Sequence, residues 1–341
     1  VLKLYSDCEE LWSDFPSKRE KVRALIGDKQ YERLAYAIAN NIVDNFIDAY
    51  VTNGVEPITY FSKDYPDRLR QLPDPPLTLS AIGNTALLNK DSIAIVGTRK
   101  ISAYGRRVTE NFTAELCRAL VIVSGLAYGV DACAHTKTLE LGEETIAVLG
   151  SGVRNIYPKA NESLSKRIVE SNGLLLSEFN TFDDPINYHF PMRNRIVSGL
   201  SKGVLVTEAS LKSGVFSTVD YALEQGKDVF VVPGEIYNYN SMGCNDLIKN
   251  MQGAITISPS DVLSALGYGK ESLIKKSVLQ LSFEEQSIIN ELKYGKLHFN
   301  DIAQKTNISP KDLTYLLSNL ELKSIICKLA GNYYQTDGGN E

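Results

Sequence analysis

Between residues 92 and 265 the chain repeats one pattern: a short apolar run, a break of small residues, then a stretch whose apolar positions recur at helical spacing. The first period spans residues 92–135, SIAIVGTRKISAYGRRVTENFTAELCRALVIVSGLAYGVDACAH. Its apolar run from Ile93 to Val96 breaks at Gly97-Thr98-Arg99, a helix-period segment covers about 105–119, and a second run at 121–123 breaks at Ser124-Gly125 and Gly129. That is a βαβ unit, and its parallel strands should be buried on both faces. Further strand ends fall at Leu149-Gly150, Leu176-Ser177-Glu178, Val206-Thr207-Glu208 and Val232-Pro233-Gly234. The pattern predicts an α/β fold, a doubly wound parallel sheet of at least six strands with every break on the same edge. A ligand would then sit outside the carboxyl ends of the strands.

The flanks follow other periods. Residues 1–56 carry apolar positions at helical spacing and read as a small helical domain with Trp12 and its aromatics as core. In the connector, 57–91, Pro66, Pro73, Pro75 and Pro76 forbid a long helix, so an ordered, extended segment packed on the core is expected. After the repeating region, which with its connector makes a domain of 57–268, residues 269–280 are a polar linker. The last unit, 281–335, reads as three helices (282–293, 299–306, 309–322) and a hairpin turning near Gly331-Asn332, the outline of a winged helix. Its third helix carries little positive charge for a DNA reader, so a protein-contacting or structural role is open beside a DNA-contacting one. The tail, 336–341, is expected to be disordered.

Composition narrows the class. At 341 residues, with 43% hydrophobic and 23% charged residues, the chain suits a multi-domain globular protein. A formal net charge of -5 excludes indiscriminate coating of nucleic acid, so any such binding has to come from a local patch. The start shows no secretory pattern, no run approaches transmembrane length, and Cys8, Cys117, Cys133, Cys244 and Cys327 are scattered. A cytoplasmic protein with reduced thiols and no membrane partner fits. His135, His189 and His298 are too dispersed for a metal cluster, and neither a metal nor a cofactor is expected.

That local patch has a candidate. Arg99, Lys100, Arg106 and Arg107 crowd the first loop and helix start without an acidic residue among them, and glycines there let a phosphate approach the backbone. Arg106 and Arg107 read equally as solvated helix-surface charges; Arg99 leaves a buried strand directly. A second cluster, Tyr188-His189-Phe190-Pro191-Met192-Arg193-Asn194-Arg195, pairs an aromatic with two arginines, which suits base stacking and phosphate contact on a single strand. It reads as well as a helix start, with one arginine bonding neighbouring loops; both arginines being structural is not expected. Catalysis finds less support: the loop lacks G-x-G-x-x-G and a Walker lysine, and no histidine is placed beside Ser124. Glu178 and Glu208 end strands at the crevice and leave a nucleotide or nucleoside hydrolase as the alternative, against a role in capping and loop bonding.

The motifs SIAIVGTRKISAYGRR, VIVSGLAYGVDACAH, TIAVLGSGVRNIYPKAN, LLLSEF, HFPMRNRIVSGLSKGVLVTEASLKSG, ALEQGKDVFVVPG and MGCNDLI together resemble the DNA processing protein A (DprA, or Smf) family over roughly 57–265. The resemblance implies a Rossmann-like core between a SAM-like helical domain and a winged helix. It also implies a non-catalytic homodimer that binds single-stranded DNA during natural transformation, protects it and loads RecA recombinase onto it. By this likeness Gly97, Thr98, Arg99, Ser124, Gly125, Gly129, Lys159, Phe190, Arg193, Asn194 and Arg195 fall at the DNA pocket. One departure is Asn187, where some members carry a basic residue; the pocket should lean more on Arg99 and Lys159. The P-G-G-x-G-T-x-x-E pattern of nucleotide-cleaving relatives is missing, although Gly214, Thr218 and Pro233-Gly234 could line such a pocket. Leu247, Ile248 and Met251, at helical spacing beside the β-run 254–257, are the candidate dimer and RecA surface, with a core role as the other reading.

Overall fold

The fold was obtained as a computed structural model that describes residue 15 and residues 17–40, 48, 50–268, 282–293, 295–322, 325–329 and 331–336. The expected linker 269–280, residues 337–341 of the expected disordered tail, and Trp12 lie outside the described residues. The chain divides into two compact units, Val1–Leu273 and Ile274–Glu341.

The first unit begins with helices α1 (Arg19–Ile26) and α2 (Asp28–Ala39), broken apart at Gly27, whose φ of 76° suits a residue without Cβ. Phe15, Val22 and Tyr31 form their small core. The connector then does more than cover the sheet. Strand β1 (Glu56–Thr59), the short helix α3 (Asp67–Arg70) and strand β2 (Thr78–Gly83) follow, and β2 pairs antiparallel both with β1 and with a core strand.

The core elements come in the alternating order that the apolar runs predict: β3 (Ser92–Val96), α4 (Ala103–Leu116), β4 (Val121–Ser124), α5 (Val130–Glu140), β5 (Thr145–Leu149), α6 (Glu162–Glu170), β6 (Leu174–Ser177), α7 (His189–Leu200), β7 (Gly203–Val206), α8 (Val215–Glu224), β8 (Asp228–Val231), α9 (Met242–Lys249), β9 (Ala254–Ile255) and α10 (Pro259–Ala265). The nine strands lie in the order β1-β2-β6-β5-β4-β3-β7-β8-β9. Strands β3 to β9 run parallel and β1 and β2 antiparallel, so the sheet is mostly, not wholly, parallel.

Burial on both faces explains why these strands read as unbroken apolar runs. In β3, Ala94 and Val96 face one core with Ile196, Leu200, Val219 and Leu247, whereas Ile93 and Ile95 face another with Phe112, Leu116, Ala134 and Val262. A third cluster packs Ala147 and Leu149 of β5 with Leu164 and Ile168 of α6, and takes in Tyr50 and Val55. Because β4, β5 and β6 extend from one side of β3 and β7 and β8 from the other, winding reverses between β3 and β7. Ligands collect at such a switch point.

The second unit, described by itself, holds α11 (Phe283–Leu292), β10 (Leu297–His298), α12 (Phe299–Thr306), α13 (Pro310–Leu322), β11 (Ile326–Leu329) and β12 (Tyr333–Thr336). Its three antiparallel strands lie in the order β10-β12-β11 over a core of Ile288, Leu292, Ile302, Leu313, Leu317 and Leu320. A capping box opens α11: the Ser282 hydroxyl accepts the Glu285 amide, and the Glu285 carboxylate accepts the Ser282 amide.

Asp91, just before β3, ties the connector to the core. Its carboxylate takes Arg68 of α3, Lys202 before β7 at 2.8 Å, and the Tyr268 hydroxyl beyond α10. Partial burial pushes its pKa up, but the bonds from Lys202, Tyr268 and Arg68 outweigh it and hold the group at about 2. A carboxylate depressed in the folded state stabilises above its ordinary titration range near 4 and loses that contribution as pH falls toward 2. Acid titration of thermal unfolding should therefore show a decline between about pH 4 and pH 2 that is shallower in Asp91→Asn; identical acid limbs would remove the role assigned to this contact.

Candidate functional site

The switch point opens into a crevice of about 610 Å³. The loop leaving β3 supplies Gly97, Thr98, Arg99 and Lys100, the turn after β4 Gly125 and Ala127, and α7 Phe190, Arg193 and Asn194. A wall not singled out as a whole in the sequence comes from the segment after β7 and the start of α8, residues 210–218, together with Tyr157 and Tyr239. Four cations (Arg99, Lys100, Arg193, Lys212) line it against one acid, Asp131, in a chain whose net charge is -5.

The first loop is held from beneath. The Thr98 amide donates to the Glu208 carbonyl at 2.7 Å, and the Val130 amide donates to the Thr98 carbonyl at 3.1 Å. The Glu208 carboxylate, 1% exposed, accepts the Ser102 amide at 2.9 Å and the Ser102 hydroxyl, fixing the start of α4. Gly129 explains itself: a Cβ there would lie 2.1 Å from the Thr98 carbonyl oxygen, and its φ is +76°. It therefore shapes the loop from outside the crevice lining.

Phe190 is partly exposed at the rim, with the Arg99 guanidinium 5.6 Å from its ring centroid and the Tyr157 ring at 5.5 Å. This cation–π contact brings together the arginine and the aromatic that the two sequence clusters nominated. Asn187 is exposed and lines the same crevice. Lys159 is exposed but not part of the lining; its Nζ lies 3.4 Å from Asn155 Oδ1, two residues beyond Tyr157.

Four expectations need correction. Arg193 lines the floor but is 5% exposed, donating to the Gly125 carbonyl at 2.6 Å and to the Val148 carbonyl; burial lowers its pKa to about 10 against the opposing field of Asp131. Arg195 lies outside the lining, paired with Glu178 at 2.5 and 2.9 Å and with Asp74 at 3.4 Å. Both arginines are thus committed to internal bonds, because α7 begins at His189 and turns its following residues into the core. Ser124 is fully buried, its hydroxyl donating to the Ile95 carbonyl at 2.7 Å. Leu247 is 0% exposed in the main core and unavailable as a docking surface, whereas Ile248 is partly buried against that core and Met251 is 91% exposed.

The acids and the histidine that the sequence offers near the crevice have internal partners. Glu178 and Glu208 are spent on Arg195 and on Ser102. His135 lies buried with Nδ1 2.8 Å from Thr145 Oγ1, and burial lowers its pKa to about 3, so it stays neutral. Asp131, missed in the sequence, accepts the Gly125 and Ala127 amides at 3.1 and 3.3 Å; burial raises its pKa, opposed by Arg193. Among the described residues no group of three or more His, Cys, Asp and Glu gathers as a metal site, and no helix is long and apolar enough to cross a membrane.

Compared with known proteins, residues 56–267 match the family model described as DNA recombination-mediator protein A. The chain belongs to this family. Within it, the DNA processing protein DprA of Bacillus subtilis (strain 168) is 43% identical over 221 residues, 64% of this chain and 73% of that one. The X-ray structure of DNA processing protein A from Streptococcus pneumoniae matches with a TM-score of 0.60 at 38% identity, covering 67% of this chain and 81% of that one. A second solved relative, DNA processing protein A of Helicobacter pylori, was studied for its single-stranded DNA binding mode; it matches with a TM-score of 0.56 at 33% identity over 62% of this chain and 95% of its own.

The bonding pattern separates structural from free cations. Arg193→Met should cost about 1–3 kcal/mol in urea denaturation, because two carbonyls lose their donor, while Arg99→Ala should stay within about 0.5 kcal/mol of the parent. Equal midpoints for the two variants would mean that the buried guanidinium does not hold the floor.

Proposed function

We propose that this chain binds single-stranded DNA in the switch-point crevice, protects it during natural transformation and delivers it to RecA recombinase, acting as a cytoplasmic homodimer without catalysis or cofactor. The observation that carries the reading is the placement of Arg99 over Phe190 at the mouth of a crevice lined by four cations and one acid. A cation beside a partly exposed ring suits a ligand that alternates phosphate and base, and it needs no particular sequence. Family membership and the relative studied for single-stranded DNA binding support the same assignment. The DNA-binding set is then Gly97, Thr98, Arg99, Gly125, Asn187, Phe190 and Asn194 in the lining, with Lys159 near the rim and Gly129 holding the loop.

The flanking regions take supporting roles in this reading. Helices α1 and α2 belong to a SAM-like domain. The second unit is a winged helix: three helices and a three-stranded antiparallel sheet suit that fold. Dimerisation falls to the β9 edge, where Met251, Ile255 and Ile257 are exposed beside a two-residue strand.

Binding measured against salt tests the crevice. Arg99→Ala should weaken single-strand affinity and flatten the plot of log affinity against log salt by under about one unit. Phe190→Ala should lose about 1–3 kcal/mol with the slope unchanged, since stacking releases no counterion. Parent-like binding by Arg99→Ala at both low and high salt would place the DNA elsewhere.

Assembly has its own measurement. The double variant Met251→Asp, Ile255→Asp should run as a folded monomer in light scattering; a folded dimer would move the interface away from β9.

A further inference from the structure

The crevice wall formed by residues 210–218 has no part in the contacts assigned above, yet it carries features that the fold does not require. Of the three crevice glycines, Gly97 and Gly125 are demanded by packing, since a Cβ would lie 2.4 Å from Val130 and 2.5 Å from the Arg193 guanidinium. Gly214 is different. Its φ of -65° and ψ of -4° are open to any residue, and a Cβ built there meets nothing within 4 Å. Glycine at this position leaves bare backbone facing the crevice at the N-cap of α8, a helix of 10 residues.

A second, independent feature points to a ligand. Thr218, one turn into α8, is 3% exposed, lines the crevice, and makes no side-chain hydrogen bond among the described residues. A helical threonine ordinarily bonds back to the carbonyl one turn earlier. Here the Gly214 carbonyl accepts the Ser217 hydroxyl at 2.9 Å instead, while Ser217 in turn accepts the Asn194 amide group at 2.8 Å. Ser213 is likewise occupied, accepting the Val215 amide at 3.3 Å. The Thr218 hydroxyl is left as a donor, and exposed Lys212 has no carboxylate within 4 Å among the described residues.

We propose that Gly214, Thr218 and Lys212 at the start of α8 form a phosphate subsite, in which a phosphate group of the bound strand lies against the Gly214 backbone, accepts the Thr218 hydroxyl and pairs with Lys212. The helix N-terminus favours an anion there, and the missing Cβ permits the approach. This rests on the single-strand reading above and adds a contact point to it. The phosphate can be a diester within the strand or the monoester at its 5′ end, which carries more charge.

The test uses the full chain and oligodeoxythymidylate carrying either a 5′-phosphate or a 5′-hydroxyl, with binding followed by anisotropy at low and high salt. Thr218→Val should weaken binding about tenfold, as expected for loss of a hydrogen bond to a charged group, and Gly214→Ala should weaken it through the methyl set between backbone and phosphate, both with thermal midpoints equal to the parent. Thr218→Ser, which keeps the hydroxyl, should restore affinity. Lys212→Ala should flatten the salt slope by up to about 0.7. Loss on both oligonucleotides assigns an internal phosphodiester, and loss on the 5′-phosphorylated one alone assigns the terminal monoester. Parent-like affinity in both Gly214→Ala and Thr218→Val overturns the subsite while leaving the crevice in place. A parent that binds neither oligonucleotide removes the single-strand reading itself.

Discussion

The guanidinium of Arg193 sits beneath the crevice with its donors turned to the carbonyls of Gly125 and Val148, at the ends of two parallel strands. Taking a charge out of water is costly unless its donors are met, so this contact admits few alternatives. Gly125 has to be glycine, because a Cβ would press on the guanidinium. Helix α7 has to enter at this height, which sets Phe190, three residues earlier, at the mouth beside Tyr157 and under Arg99. The open end of the sheet and the aromatic that guards it are therefore fixed by one buried cation.

Positive charge in the crevice falls into two kinds. Arg193 is a building element, and outside the lining Arg195 is another, each answered by carbonyls or carboxylates within the chain. Arg99, Lys100 and Lys212 are exposed, and no acidic side chain lies within 4 Å of them among the described residues. An acidic chain can thus hold a local field for a polyanion without attracting it over its whole surface.

Much of this was legible in the sequence because strands buried on both faces leave continuous apolar runs, and their C-terminal breaks mark the crevice. Arg99 stood out because it follows such a break directly, and Phe190 because it stands in a cluster with two arginines at a helix start. Arg193 and Arg195 misled, since a sequence shows that an arginine is present but not that Gly125, Val148 and Glu178 lie within reach after folding. Leu247 shared helical spacing with Met251, yet only the packing of α9 on the sheet turns one inward and leaves the other outside. The antiparallel strand β1 was hidden by its length of 4 residues and by Pro57, and the crevice wall at 210–218, having no charge cluster to announce it, showed only through Gly214 and Thr218.

The two sides of the sheet end unalike. On one, the short strand β1 closes the array with Glu56 and with Pro57, a residue that has no amide hydrogen to offer a further strand. On the other, β9 stops after two residues among exposed Ile255, Ile257 and Met251. A body with adhesive flanks on both sides would stack without limit into fibres, head to tail. One that pairs through a single flank about a two-fold axis consumes, in that meeting, the surface that made it. Under the assembly proposed for β9, growth would end at two copies for a reason of geometry, with no added stop signal.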